Sequence, residues 1–120
     1  MSLLILTKLL NDHLEQLKIL YSTNKQPENS RDKQFFLEVK DKTGPIFELL
    51  NQWEEEALVQ GKKRNITLYP QQITSTKENM ELVLMHSYYH DVRKRRYMEL
   101  NQSIQYVFDQ VVREMEQAIR

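Results

Sequence analysis

The chain has 120 residues, 40% of them hydrophobic, enough for one core and too few for two, so a single domain over 1–120 is expected. Two glycines and three prolines cannot supply the many tight turns of a sandwich or barrel, which leaves few, long elements and an all-α reading. Seventeen basic residues balance seventeen acidic ones and cysteine is absent, so no global field draws nucleic acid or an anionic membrane, and disulfides, thiolate metal sites and thiol nucleophiles are excluded.

Leu3, Leu6, Leu10, His13, Leu17 and Leu20 alternate spacings of three and four, with Leu14 and Tyr21 beside them, the pattern of an amphipathic helix with Ser2 as its N-cap. The apolar start is interrupted by Lys8 and preceded by no basic segment, so a secretory signal is not expected. No stretch reaches membrane-spanning length, and the expected location is cytoplasmic. Ser22 to Ser30, with Pro27 inside it, has no apolar periodicity and reads as a loop.

A second stripe runs Phe36, Val39, Thr43, Ile46, Leu50, Trp53 and Ala57 and keeps its phase across Gly44 and Pro45. Two separate helices would not share a register, so one long helix from about Arg31 to Gln60 is expected, kinked at Pro45 and capped by Gly61. Trp53 and Phe36 fall on its apolar stripe and are core candidates. Lys62 to Tyr69 is too short to pair as a strand and reads as a connector.

Pro70 takes a favoured first-turn position, and Ile73, Met80, Val83 and Leu84 begin a third helix. Its middle, Leu82 to Met85, is apolar on every side and is expected to be deeply buried, within one chain or against a second copy in a homodimer. A second apolar line, Leu82, Met85, Tyr89 and Val92, stops at Arg93. Tyr97, Leu100, Ile104, Val107, Val111 and Met115 restart a stripe in another phase, which places the third turn at about Asp91 to Arg95, with Asn101 as the alternative. A single helix from Pro70 to Arg120 would extend about 75 Å and could not be covered by one chain. Short connections make sequential helices antiparallel, so the expected fold is an up-and-down four-helix bundle.

The basic run Arg93, Lys94, Arg95 and Arg96, with Tyr88, Tyr89 and Tyr97 around it, invites a phosphate-binding reading. The stronger reading is that these cations complement the carbonyl end of the third helix and cover the core with their stems. The other basic run, Lys62 to Arg64, lies at the opposite end of that helix, on the order of 30 Å away, so the two do not make one patch. His86 and His90 stand four apart, on one helical face where two imidazoles could share a metal, but two ligands are not a site and no Glu-x-x-His motif accompanies them. Glu54, Glu55 and Glu56 fan across half a helix and read as a solvated face. No phosphate-cradling loop or nucleophile elbow is present.

Leu82-Val83-Leu84, Ser87-Tyr88, His90 and Lys94-Arg95-Arg96-Tyr97 resemble the YppE-like family of low-GC Gram-positive bacteria, as do Phe35-Phe36, Trp53 and the Tyr69-Pro70 step. The likeness implies a four-helical up-and-down bundle with left-handed twist in a family of unknown function. Asp91 and Arg93 stand where the family pattern admits histidines, which works against a shared histidine metal site. The resulting expectation is a non-enzymatic protein without catalytic residues or cofactor, acting through an unidentified protein partner. Its candidate contact residues are Tyr88, His90, Arg93, Lys94, Arg95, Arg96, Glu54 and Glu55. Metal binding at His86 and His90, and polyanion binding at Arg93 to Arg96, are the alternatives.

Overall fold

Four amphipathic segments become four helices in the computed structural model, which describes residues 1–23 and 31–119: α1 (Leu3–Thr23), α2 (Lys33–Lys62), α3 (Pro70–Tyr89) and α4 (Lys94–Ala118). No strand occurs among the described residues. Ser2 Oγ accepts the Ile5 N–H at 3.2 Å and opens α1 as expected. The helix runs through Ser22 to Thr23, two residues into the expected loop, because both hydroxyls turn back onto carbonyls of the preceding turn. The remainder of that loop, including Pro27, lies outside the described residues. Asp32 caps α2 by accepting the Gln34 N–H at 3.0 Å.

α2 passes through Gly44 and Pro45 as a single helix and ends later than expected. Gly61 lies inside its last turn, and the residue in left-handed backbone is Arg64, at φ 63°. Asn65 N–H donates to the Gln60 carbonyl and Arg64 N–H to that of Gly61, the paired closure of a Schellman motif. At Gly61 itself a Cβ would stand 3.4 Å from the Leu68 carbonyl oxygen, in van der Waals contact with the connector. The connector that follows is less polar in role than in composition, since Ile66 and Leu68 are buried and close one end of the bundle.

Tyr21 near the end of α1 meets Tyr97 near the start of α4, Lys8 meets Glu116 at the other end, and Phe35 at the start of α2 meets Tyr89 at the end of α3. With Trp53 late in α2 bonded to Thr7 early in α1, and Ser87 late in α3 bonded to Tyr97 early in α4, sequential neighbours are antiparallel, the up-and-down order. α1 and α3 approach across one diagonal, whereas α2 and α4, on the other, keep their backbones apart and meet only through side chains. Trp53 is fully buried, edge-on to Phe108 at 5.4 Å, and its indole N–H donates to Thr7 Oγ1 at 3.0 Å. Thr7 Oγ1 in turn donates to the Leu3 carbonyl at 2.7 Å, so the polar pair is satisfied inside the core.

Two burial expectations are corrected. Phe36 is 53% exposed, at an open recess between α2 and α3, and the buried stripe of α2 begins at Val39. Val83 and Leu84 are buried but Leu82 is 42% exposed and Met85 half-buried, because α3 meets three helices and not a full ring of neighbours. Among the described residues no helix is long and apolar enough to cross a membrane.

Candidate docking surface

The turn between α3 and α4 spans residues 90–93, overlapping the expected Asp91 to Arg95 and starting one residue earlier, while Asn101 is buried inside α4 and donates to the Tyr97 carbonyl at 3.0 Å. No glycine marks this turn because His90 itself takes the left-handed conformation, at φ 50° and ψ 44°. Its ring compensates by stacking on Tyr21 with centroids 4.2 Å apart, and Tyr21 stacks on Tyr97 at 3.8 Å. The Tyr21 hydroxyl donates to the Val92 carbonyl at 2.7 Å and pins the turn to α1. Ser87 donates to the Val83 carbonyl, so its oxygen receives the Tyr97 hydroxyl at 2.6 Å. Burial pushes the Tyr21, Tyr88 and Tyr97 phenols above their ordinary value, so all three are neutral donors at physiological pH.

The two histidines do not converge. His86 Nδ1 lies 2.7 Å from Asp91 Oδ1 while His90 faces Tyr21, and among the described residues no three His, Cys, Asp or Glu side chains gather to hold a metal.

The basic run occupies a different place from the one expected. Arg93 is the N-cap of α4 and Lys94, Arg95 and Arg96 form its first turn, so these cations face the positive end of a helix and not the carbonyl end of α3. The phase change fixed the boundary, but no capping residue announced which side of it the cations would join. Glu99 answers two of them, with Arg95 at 3.4 Å and Arg96 at 3.9 Å. Arg93 and Lys94 are exposed and form no ion pair among the described residues. Tyr88 is half-buried beside them.

The acidic triplet is divided between tasks. Glu54 bridges to Lys77 of α3 at 3.5 Å, with both side chains only about a fifth exposed, whereas Glu55 is exposed. Glu54 thus ties α2 to α3, and the expected solvated acidic face reduces to Glu55 with half-buried Glu56.

A surface that the sequence reading missed lies between α2 and α3. Phe36, Val39, Phe47, Met85 and Tyr89 line a recess of about 360 Å³, with Lys40 its one charged wall and Gly44 leaving its side open. Phe35 closes the end against Tyr89, ring centroids 5.3 Å apart and nearly perpendicular. Leu82, one turn before Met85 on α3, is exposed, so apolar surface continues along that helix past the recess. Tyr89, in the lining of the recess, is the last residue of α3, and the chain then reaches Arg93 at the end of the turn and Lys94 at the start of α4. The signal was present in the second apolar line Leu82, Met85, Tyr89, a stripe too many for a helix with one buried face.

The chain matches the model of a bacterial domain of unknown function, DUF1798, over residues 7–115. It is similar to the crystal structure of protein yppE from Bacillus subtilis, at 23% identity and a TM-score of 0.77, covering 97% of this chain and 94% of that one. No curated protein matches it. With four antiparallel helices, the Leu82 to Tyr97 pattern that resembles YppE-like proteins, and a family match over nearly its whole length, the chain belongs to the bacterial DUF1798 family.

Proposed function

We propose that the protein is a non-enzymatic binding module that docks a protein partner in the α2/α3 recess and along the adjoining basic turn. The observation that carries this reading is an open apolar recess, walled by half-buried Phe47, Met85 and Tyr89 and flanked by exposed Phe36, ending where four cations begin. Such a surface suits a segment with one or two aromatic or aliphatic anchors followed by acidic residues, the apolar part seated between the helices and the carboxylates over Arg93 and Lys94. The charge placement supports it. Cations at the start of α4 oppose the helix dipole, and Arg93 and Lys94, which Glu99 does not answer, are left for an added anion. A zero net charge favours local recognition over nucleic-acid binding.

Selection of random peptides on the immobilised protein tests this. Enriched sequences are expected to pair apolar anchors with acidic residues, to lose about tenfold or more in affinity against Met85→Lys, and to weaken with salt through Arg93 and Lys94. No enrichment, or binding indifferent to Met85→Lys, contradicts the reading. Preferential, salt-dependent binding of nucleic acid by the same turn would replace it with the polyanion alternative.

A further inference from the structure

At the end of the bundle away from the basic turn, the α2–α3 connector encloses a second recess, of about 570 Å³. Ile66, Leu68 and Ile73 are buried and form its floor, Leu58 and Gly61 line its α2 wall, and Tyr69, 73% exposed, stands at its rim. The charged residues in its lining are Lys62 and Arg64, with no carboxylate among them. Neither cation forms an ion pair among the described residues. We propose that this recess binds a small amphiphilic anion, its apolar tail against Leu58, Ile66 and Ile73 and its carboxylate between Lys62 and Arg64.

The position of Arg64 carries the inference furthest. Lys62 at the carbonyl end of α2 is explained by the helix dipole alone. Arg64 is not: it occupies the left-handed cap position that favours glycine or asparagine, and any other side chain there destabilises the fold. The other non-glycine residue in that conformation, His90, is compensated by its stack on Tyr21, whereas the Arg64 guanidinium has no hydrogen-bond or ion-pair partner among the described residues. A strained backbone that holds an unanswered guanidinium at an acid-free apolar recess is matched by an anion with an apolar body. Arg64 also borders a hollow on the far side of the connector that contains Glu114, but that carboxylate is occupied by the Thr67 N–H, the Thr67 hydroxyl and Gln110.

Calorimetric titration of the full chain with decanoate tests the site, alongside decanol, decyltrimethylammonium and anionic phospholipid vesicles. Saturable binding of decanoate is expected, with decanol weaker and decyltrimethylammonium silent. Arg64→Gly and Arg64→Asn, which suit the left-handed backbone, are expected to keep or raise the urea midpoint while weakening decanoate about tenfold or more. Arg64→Lys is expected to retain most of the affinity, and Leu58→Glu to abolish it with the fold intact. Decanoate binding unchanged in Arg64→Gly, equal binding of the cationic amphiphile, absence of saturable binding, or binding to vesicles alone would each overturn the proposal.

Discussion

Single side chains decide how the polar groups of this bundle are carried. Thr7 is the acceptor that lets Trp53 be fully buried, and Thr7→Val, close in shape, leaves the indole N–H without a partner inside the core. A loss of about 1–3 kcal/mol is expected, read from the urea midpoint followed by Trp53 fluorescence. An unchanged midpoint would mean that the bond contributes nothing net. Glu114 anchors the connector to α4. Burial alone would raise its carboxyl, but hydrogen bonds from Thr67 and Gln110, with Arg113 nearby, hold it below its ordinary 4.5. A folded pKa lower than the unfolded one contributes stability that is present above the unfolded value and is lost as pH falls through the folded one. Glu114→Gln is therefore expected to lower the urea midpoint near neutral pH and to flatten its decline in the acid range, whereas an unaltered acid slope would assign that decline to other carboxylates. At this scale sequence reading was partial. Trp53 was legible as core from its place on the α2 stripe, but its partner Thr7 was not, because a threonine that returns its hydroxyl to a carbonyl four residues back reads as polar while behaving as apolar.

Among the elements, α4 has its charges the wrong way round at its start, and that can be tested without knowing the partner. Replacing Arg93 and Lys94 by glutamate is expected to raise stability by about 0.3–1 kcal/mol each at low ionic strength, with the gain fading as salt is added. A loss of stability would mean that these cations make intramolecular contacts of greater value than the dipole. In α2, Pro45 is exposed and withholds the N–H that the Asp41 carbonyl would accept, so a bend there is the expected local response. Pro45→Ala is expected to raise the thermal midpoint, and a lower midpoint would show that the proline shapes α2 to its neighbours. The four helices were legible because their stripes hold a period of three and four, and the α3/α4 turn because a phase cannot jump within one helix. On α4 the expected stripe took Val107, which is half-buried, and passed over Phe108, which is fully buried; this and the exposed Phe36 have one cause. Periodicity identifies a face, but how far each position on it is covered depends on which side chains the neighbouring helices bring up to it, as Trp53 of α2 does for Phe108 and nothing among the described residues does for Phe36.

For the molecule as a whole, all four helices contribute to one continuous cluster of buried side chains that includes Trp53, Phe108 and Tyr97. Urea unfolding is therefore expected to be one transition, coincident by Trp53 fluorescence and by far-ultraviolet circular dichroism; separated midpoints would divide the cluster into parts that unfold independently. Beyond the core, the recess between α2 and α3 is a surface contributed by two helices. No single segment of sequence could display it, because Phe36 and Met85 are brought together only by the pairing of α2 with α3. The proposal that this surface docks an apolar, acidic protein segment is tested most directly by the amide shift map of the labelled protein, titrated with a peptide selected on it. Shifts confined to the first half of α2, the end of α3 and the turn through Arg93 and Lys94 are predicted, whereas shifts centred on the α1/α4 face around Lys8 and Glu116, or none at saturation, would contradict it.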